Sequence, residues 1–294
     1  MTLELLDERI QGGKAMLRSI VVLAARWTPS FIKRWVHRNR LVDHASRKIF
    51  SRAVGVDGSV TQIQSGPLAG IKLVVTEHIS HAHISGTYEL ETQRAIDRLI
   101  SSDFVCYDLG ASIGYLSLLM ARKSKQVYSF EPAPHAAEEL RKHAAANELN
   151  NIIIVPSPVS DSERIVEFAL TDNAYGSSIV GSRSKWPTLK LTTITLDDFA
   201  ATHPLPNFIK MDVENEEGRV LQGARTILRE RKALICCELH SEEAAREVQE
   251  ILTEYGYRIT TLDGRPFEIS GPIIPGDVQI IALPESTSAH QGSG

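Results

Sequence analysis

The stretch Phe104-Val-Cys-Tyr-Asp108-Leu-Gly110-Ala-Ser112-Ile-Gly114-Tyr-Leu-Ser-Leu-Leu-Met120 constrains this chain more than any other. A short apolar run, a turn of small residues and a breaker-free run of helical length follow one another, which reads as strand, tight turn and helix. Such a turn sets backbone N–H groups at a helix N-terminus, where an anionic or polar ligand can be held. Gly110 and Gly114 are expected to let that ligand approach the backbone closely.

Asp108 stands where the dinucleotide fingerprint G-x-G-x-x-G has its first glycine, so that fingerprint is poorly matched. An acid there suits a ligand with an ammonium or sulfonium group, and S-adenosylmethionine carries both. A second strand, Gln126-Val-Tyr-Ser-Phe130, ends in Glu131, 21 residues after Gly110. That is close to the ~20-residue offset at which a second-strand carboxylate takes ribose hydroxyls in nucleotide-binding βαβ units. The alternative is an ordinary βαβ unit with an incidental acid at a strand end.

Charge divides the 294 residues unevenly. The net charge is −4, yet residues 1–55 hold eleven Lys or Arg against four acids, +7, which leaves −11 for the rest. This predicts a basic helical extension over 1–57, a main domain over 58–285 and a small, polar, disordered tail over 286–294. In the extension, Trp27, Phe31, Trp35 and Phe50 are interleaved with the basic residues. A lid or dimer arm is favoured; a basic amphipathic face resting on an anionic membrane is the sharper alternative. Nucleic acid is not expected as a partner, because the remainder is acidic. The longest apolar run near the N-terminus, residues 20–25, is too short to span a bilayer. No secretory signal is evident, and Cys106, Cys236 and Cys237 lie in apolar runs as buried thiols. A cytoplasmic protein is expected, with membrane association possible only through the arm.

Residues 59–79 read as a β-hairpin and residues 91–100 as a helix. Between them, His78, His81 and His83 lie in a loop-like stretch with nothing nearby to complete a ligand shell, so no metal is expected. Strands at 104–108, 126–131, 152–155, 207–212 and 233–239 alternate with helices at 113–123, 135–148, 217–229 and 241–255. Runs 164–170 and 189–195 predict an inserted hairpin, with a mobile loop at 173–178. The last two strands, 257–262 and 278–283, are joined by a segment too broken for a crossover helix, so they should pair antiparallel. The fold class is therefore α/β: a Rossmann-like, doubly wound, seven-stranded sheet, mostly parallel with one reversed strand. An N-terminal helical extension and the inserted hairpin are added to it.

Three further blocks are Ile209-Lys210-Met211-Asp212-Val213-Glu214 with Val220-Leu221-Gln222-Gly223-Ala224, Ile235 to Glu238 leading to Leu239-His240, and Leu196-Asp197-Asp198. Together with Gly86-Thr-Tyr88-Glu89, Asp108-x-Gly110-Ala111 and Phe130-Glu131-Pro132, they resemble the FkbM family of methyltransferases over residues 66–240. The resemblance implies transfer of a methyl group from S-adenosylmethionine to a hydroxyl, with a sugar, glycolipid or other small metabolite as acceptor. It implies cofactor contacts at Tyr88, Glu89, Asp108, Gly110, Ser112, Gly114, Glu131 and Asp212. Three positions depart from the family: Ser112 replaces a common Asn, Asn215 the usual Gly after Asp-Val-Glu, and Pro158 the usual Ala.

Methyl transfer gains most from holding the acceptor oxygen in line with the methyl group, and a hydroxyl must also lose a proton. Asp212, Glu214 and His240 fall at or just past the ends of two strands that should be neighbours, where open α/β sheets bind ligands. His240 is the first candidate base, because imidazole titrates near neutral pH, and Glu214 the second. Structural roles compete: Asp212 as a cap of helix 217–229, His240 as a neighbour of the next N-cap, Glu238 as a partner of Lys210. A SAM-binding subunit without activity, or a methyltransferase acting on nitrogen, are the rival functions. No Asn-Pro-Pro-Tyr or Asp-Pro-Pro-Tyr run follows the fourth core strand, where base-directed enzymes would carry one.

Overall fold

The computed structural model describes residues 58–171, 177–180, 186–269 and 278–285. The basic arm, the polar tail and most of the expected 173–178 loop lie outside them. The chain divides into two compact units, 1–90 and 91–294.

In the first unit, β1 (Val60–Gln62) and β2 (Lys72–Val74) form the expected antiparallel hairpin, Thr61 facing Leu73. The histidine-rich stretch is not a loop. It holds a one-turn helix, α1 (His81–Ser85), closed by Gly86 at φ 78°. Ser80 caps it: the Ser80 backbone N–H donates to His83 Nδ1 at 2.9 Å. His83 is thereby a buried capping residue, a role that periodicity could not signal over so few residues.

Helix α2 (Leu90–Leu99) leads into the alternating core: β3 (Val105–Leu109), α3 (Tyr115–Lys123), β4 (Gln126–Phe130), α4 (Pro134–Ala146) and β5 (Ile152–Val155). β6 (Ile165–Ala169), β7 (Ser178–Val180) and β8 (Thr188–Thr192) follow, then α5 (Leu196–Ala200) and β9 (Phe208–Met211). The chain closes through α6 (Glu217–Gln222), α7 (Arg225–Glu230), β10 (Leu234–Glu238), α8 (Glu242–Glu254), β11 (Tyr257–Thr261) and β12 (Gln279–Pro284). The main sheet has the order β11-β12-β10-β9-β3-β4-β5. Only β12 is reversed, antiparallel to both neighbours, as expected. The insertion is larger than a hairpin: β6 pairs with β8 on one side and β7 on the other.

Local chemistry accounts for the elements. α3 buries Leu116, Leu118, Leu119 and Met120 on all sides, so it is an interior helix. α8 buries only Ala244, Ala245, Val248 and Leu252, a single stripe, and Ser241 caps it by accepting from Ala244 N–H. The single helix expected over 217–229 is broken in two. A Cβ on Gly223 would lie 2.3 Å from the Ser160 carbonyl oxygen, so the chain passes too close there for any side chain. The helix restarts because the Asp197 carboxylate accepts the Thr226 and Ile227 N–H groups.

β3 is the pivot of the winding. The chain runs outward from it to β4 and β5, then returns to its other flank as β9. The crevice at the carboxyl ends of β3 and β9 is thus the topological switch point, where such sheets take their ligands.

Candidate active site at the switch point

Two clusters meet there. The first is the turn after β3. Gly110 and Gly114 sit at φ 73° and 83°, in the left-handed region. Their lack of a side chain serves the protein's own packing, a reason beyond the expected ligand approach. A Cβ on Gly110 would lie 1.9 Å from the Asp212 carbonyl oxygen, and one on Gly114 2.5 Å from Leu140 Cγ. Glu131, at the end of β4, ties the turn down: its two carboxylate oxygens accept from Ser112 N–H and Ala133 N–H, each at 2.7 Å. Burial raises the Glu131 carboxyl from its ordinary 4.5 to about 7, against the lowering pull of those two N–H groups. Ser112 itself has φ 50°, a region that residues other than glycine seldom adopt and that suits the Asn expected there.

Asp108 is buried beneath the turn, 1% exposed. Ser117 Oγ donates to it, and Lys210 Nζ lies 3.7 Å away. The cation that this acid meets is therefore a lysine of β9. Lys210 Nζ also donates to the Gly110 carbonyl at 3.3 Å and to Asp212 Oδ2 at 3.4 Å. It joins the two clusters.

The second cluster centres on His240, two residues past β10 and 5% exposed. Its Nδ1 donates to Glu217 Oε1 at 2.7 Å. Its Nε2 lies 3.2 Å from Asp212 Oδ1, 3.5 Å from Glu238 Oε1 and 3.8 Å from Glu214 Oε2. Burial pulls the imidazole's pKa down, but the hydrogen bonds to Asp212 and Glu217 and their charges overcome it and push it up to about 11. The carboxylates at both ring nitrogens thus favour the protonated, positioning form of His240 over the neutral base that the sequence suggested. Burial likewise opposes ionisation of Asp212, yet Lys210 and His240 hold it down at about 2. Glu214 goes the other way. Burial raises its pKa against the pull of His240, while its side chain remains 36% exposed.

Sequence reasoning brought Asp212, Glu214 and His240 to one place, and the structure does assemble them. Asp212 caps no helix; its oxygens go to His240 and Lys210. Glu214 and Asn215 both occupy the left-handed region, φ 54° and 76°. Tyr88 and Glu89 belong to the first unit. What the sequence did not reveal is Glu217, which is fully buried. An acid in the first turn of a helix reads as a partner for the helix dipole, and nothing local marks it as the acceptor for a histidine 23 residues on.

The family model described as "Methyltransferase FkbM domain" matches residues 108–259. The chain belongs to the FkbM methyltransferase family. Among curated relatives, an uncharacterised protein of Methanocaldococcus jannaschii is 34% identical over 68 residues, 23% of this chain and 26% of that protein. The chain thus spans about a quarter of that relative's length. The hexuronic acid methyltransferase AglP of Haloferax volcanii is 26% identical over 172 residues, 56% of this chain and 70% of that protein. A solved structure, methyltransferase FkbM from Methylobacillus flagellatus, is 20% identical, with 68% of this chain and 46% of that one covered at a TM-score of 0.40.

Proposed function

We propose that this chain is a SAM-dependent methyltransferase that acts on a hydroxyl group of a sugar, glycolipid or similar small acceptor. The observation that carries the reading is the pair of acid-rich clusters at the switch point, inside the span matched by the family. The likeness to a hexuronic acid methyltransferase supports a sugar as acceptor.

The residues fit the cofactor by charge. Asp212 and its neighbours offer a surplus of carboxylates to an ammonium and a sulfonium, and Glu131 lies at the strand end suited to ribose hydroxyls. Both Glu131 oxygens already accept one N–H each, and each retains a further lone pair. When bound, S-adenosylmethionine supplies a methyl carbon made electrophilic by positive sulfur. Glu214 is the base of this reading: it is the most exposed of the four carboxylates around His240, and its raised pKa makes it a better proton acceptor than Asp212. His240 acts as a positioning cation that orients Asp212, Glu214 and Glu238.

Calorimetric titration with S-adenosylmethionine, followed by turnover of labelled cofactor on a panel of uronic acids and neutral sugars, tests this. Glu214→Gln should lower kcat about 10²–10⁴-fold with cofactor affinity little changed. Absence of cofactor binding by the folded protein overturns the assignment. Full activity of Glu214→Gln removes Glu214 as the base.

A further inference from the structure

The arrangement around His240 goes further than positioning. Three side-chain atoms, His240 Nε2, Asp212 Oδ1 and Glu238 Oε1, converge on one spot. Among the described residues these three side chains form a group whose donor atoms all lie within 4.8 Å of one another. Two donors each about 2.1 Å from one ion lie roughly 3.0–3.4 Å apart when adjacent in its shell, and about 4.2 Å apart when opposite. The separations from Nε2, 3.2 Å to Asp212 and 3.5 Å to Glu238, are of that size.

Each of these side chains is held from behind by a different residue. Glu217 accepts from His240 Nδ1, Lys210 lies 3.4 Å from Asp212 Oδ2, and Gln279 Nε2 donates to Glu238 Oε2 at 3.1 Å. A carboxylate on the far nitrogen of a histidine is the support that metal-binding histidines commonly have. Charge provides a second, independent sign. Glu217 is fully buried, and among the described residues its Oε2 has no hydrogen-bond donor. Across these contacts the carboxylates of Asp108, Asp212, Glu214, Glu217 and Glu238 gather around the cationic side chains of Lys210 and His240.

We propose that His240, Asp212 and Glu238 form a divalent-cation site, with Glu217 as the residue that fixes the imidazole and Glu214 at its open side. An ion there takes the place of the Nε2 proton and meets the same carboxylates. One imidazole with two carboxylates suits a first-row ion such as Mn²⁺ better than an all-oxygen site would. The sequence alone had pointed to His78, His81 and His83 when a metal was considered, and this site uses none of them. An ion here would draw an acceptor hydroxyl beside Glu214 and ease its deprotonation. That role rests on the proposed function; the binding of the ion does not.

The test uses the full chain, freed of metal with a chelator and titrated with Mn²⁺ alone, in the absence of cofactor and acceptor. Calorimetry and the electron paramagnetic resonance signal of free Mn²⁺ report binding, and circular dichroism reports folding. One ion per chain is expected. Glu238→Gln should weaken affinity at least 10-fold, and Glu217→Gln by about 10–100-fold while both variants remain folded. Asp161→Asn, an acid engaged with Arg164 and Arg219 outside the cluster, should leave affinity unchanged. A resonance signal equal to that of the free ion, or equal affinity in wild type and Glu238→Gln, overturns the proposal. A cofactor titration that fails while Mn²⁺ binds would instead overturn the proposed function alone.

Discussion

The turn after β3 and the cluster past β9 and β10 border the same crevice, yet they are built by different means. The turn is backbone: positive-φ glycines, close carbonyls, and one buried carboxylate that gathers two N–H groups. The cluster is side chain: a histidine ringed by four acids drawn from residues 212 to 238. A backbone device is specified by which residue types can occupy a few adjacent positions. A charged cluster is specified by burial and by partners distant in sequence. Substitutions should therefore act sterically in the first region and electrostatically in the second.

The largest effect is expected where charge is buried. His240→Ala strips Glu217, fully buried, of its cation, and breaking such a pair costs about 3–5 kcal/mol. Denaturant unfolding of the metal-free protein measures it. The pH dependence has a definite sign. The folded state holds the His240 proton up to about 11, whereas an ordinary histidine loses it near 6.5. The stability it contributes is complete below 6.5 and lost as pH rises toward 11. Asp212, held down at about 2 from an ordinary 3.8, sets the opposite edge: its contribution is lost as pH falls through that interval. An alkaline limb that persists unchanged in His240→Ala would break the contrast between the regions.

Gly110→Ala should cost about 3 kcal/mol or more, through sterics alone. Its Cβ would meet the Asp212 carbonyl oxygen at 1.9 Å, in a φ that L residues rarely adopt. The loss should be the same at pH 6 and pH 9. A pH-dependent loss would mean that the turn is coupled to the charges beside it.

These two substitutions also mark how much the sequence disclosed. The strand–turn–helix, the seven strands and the reversed β12 were legible, because apolar runs and breakers are local signals. Asp212, Glu214 and His240 were legible as neighbours, because strand ends converge at a switch point. The role of His240 was not, because its pKa depends on the depth of burial and on Glu217, a residue that reads as an ordinary helix-start acid. The packing role of Gly110 was hidden for the same reason. What a glycine makes room for, here Asp212 102 residues later, is a tertiary fact. The broken helix at Gly223 follows the same pattern, with Ser160 as the hidden partner.

Glu131 tests whether the turn is free of electrostatics. Its carboxyl is raised from 4.5 to about 7 by burial, so between those values the folded state retains a proton that the unfolded chain has lost. Stability should therefore fall as pH rises through that window, by roughly 3 kcal/mol in all. Glu131→Gln should flatten this limb, at the expense of one acceptor for the Ser112 or Ala133 N–H. A limb of unchanged slope in the variant would assign the titration to another group.

The smallest effect is the sharpest comparison, because it lies in the charged cluster but acts through the backbone. Asn215 adopts φ 76° beside Glu214 at φ 54°, two left-handed residues in succession. Asn tolerates that region better than most residues but less well than Gly, so Asn215→Gly should relieve local strain. It also loosens the unfolded chain, so the net gain should stay below about 1 kcal/mol. Asn215→Ala should lose about 1 kcal/mol, because Ala lacks the polar side chain that helps Asn occupy that region. Neither change alters a charge, and the Asn215 N–H that donates to Glu217 Oε1 at 3.1 Å is kept in both. The alkaline limb set by His240 should therefore remain where it is while the midpoint of unfolding shifts up for Gly and down for Ala. If Asn215→Gly instead moved the alkaline limb, the left-handed pair would be holding Glu217 against His240, and the two means of construction would be one.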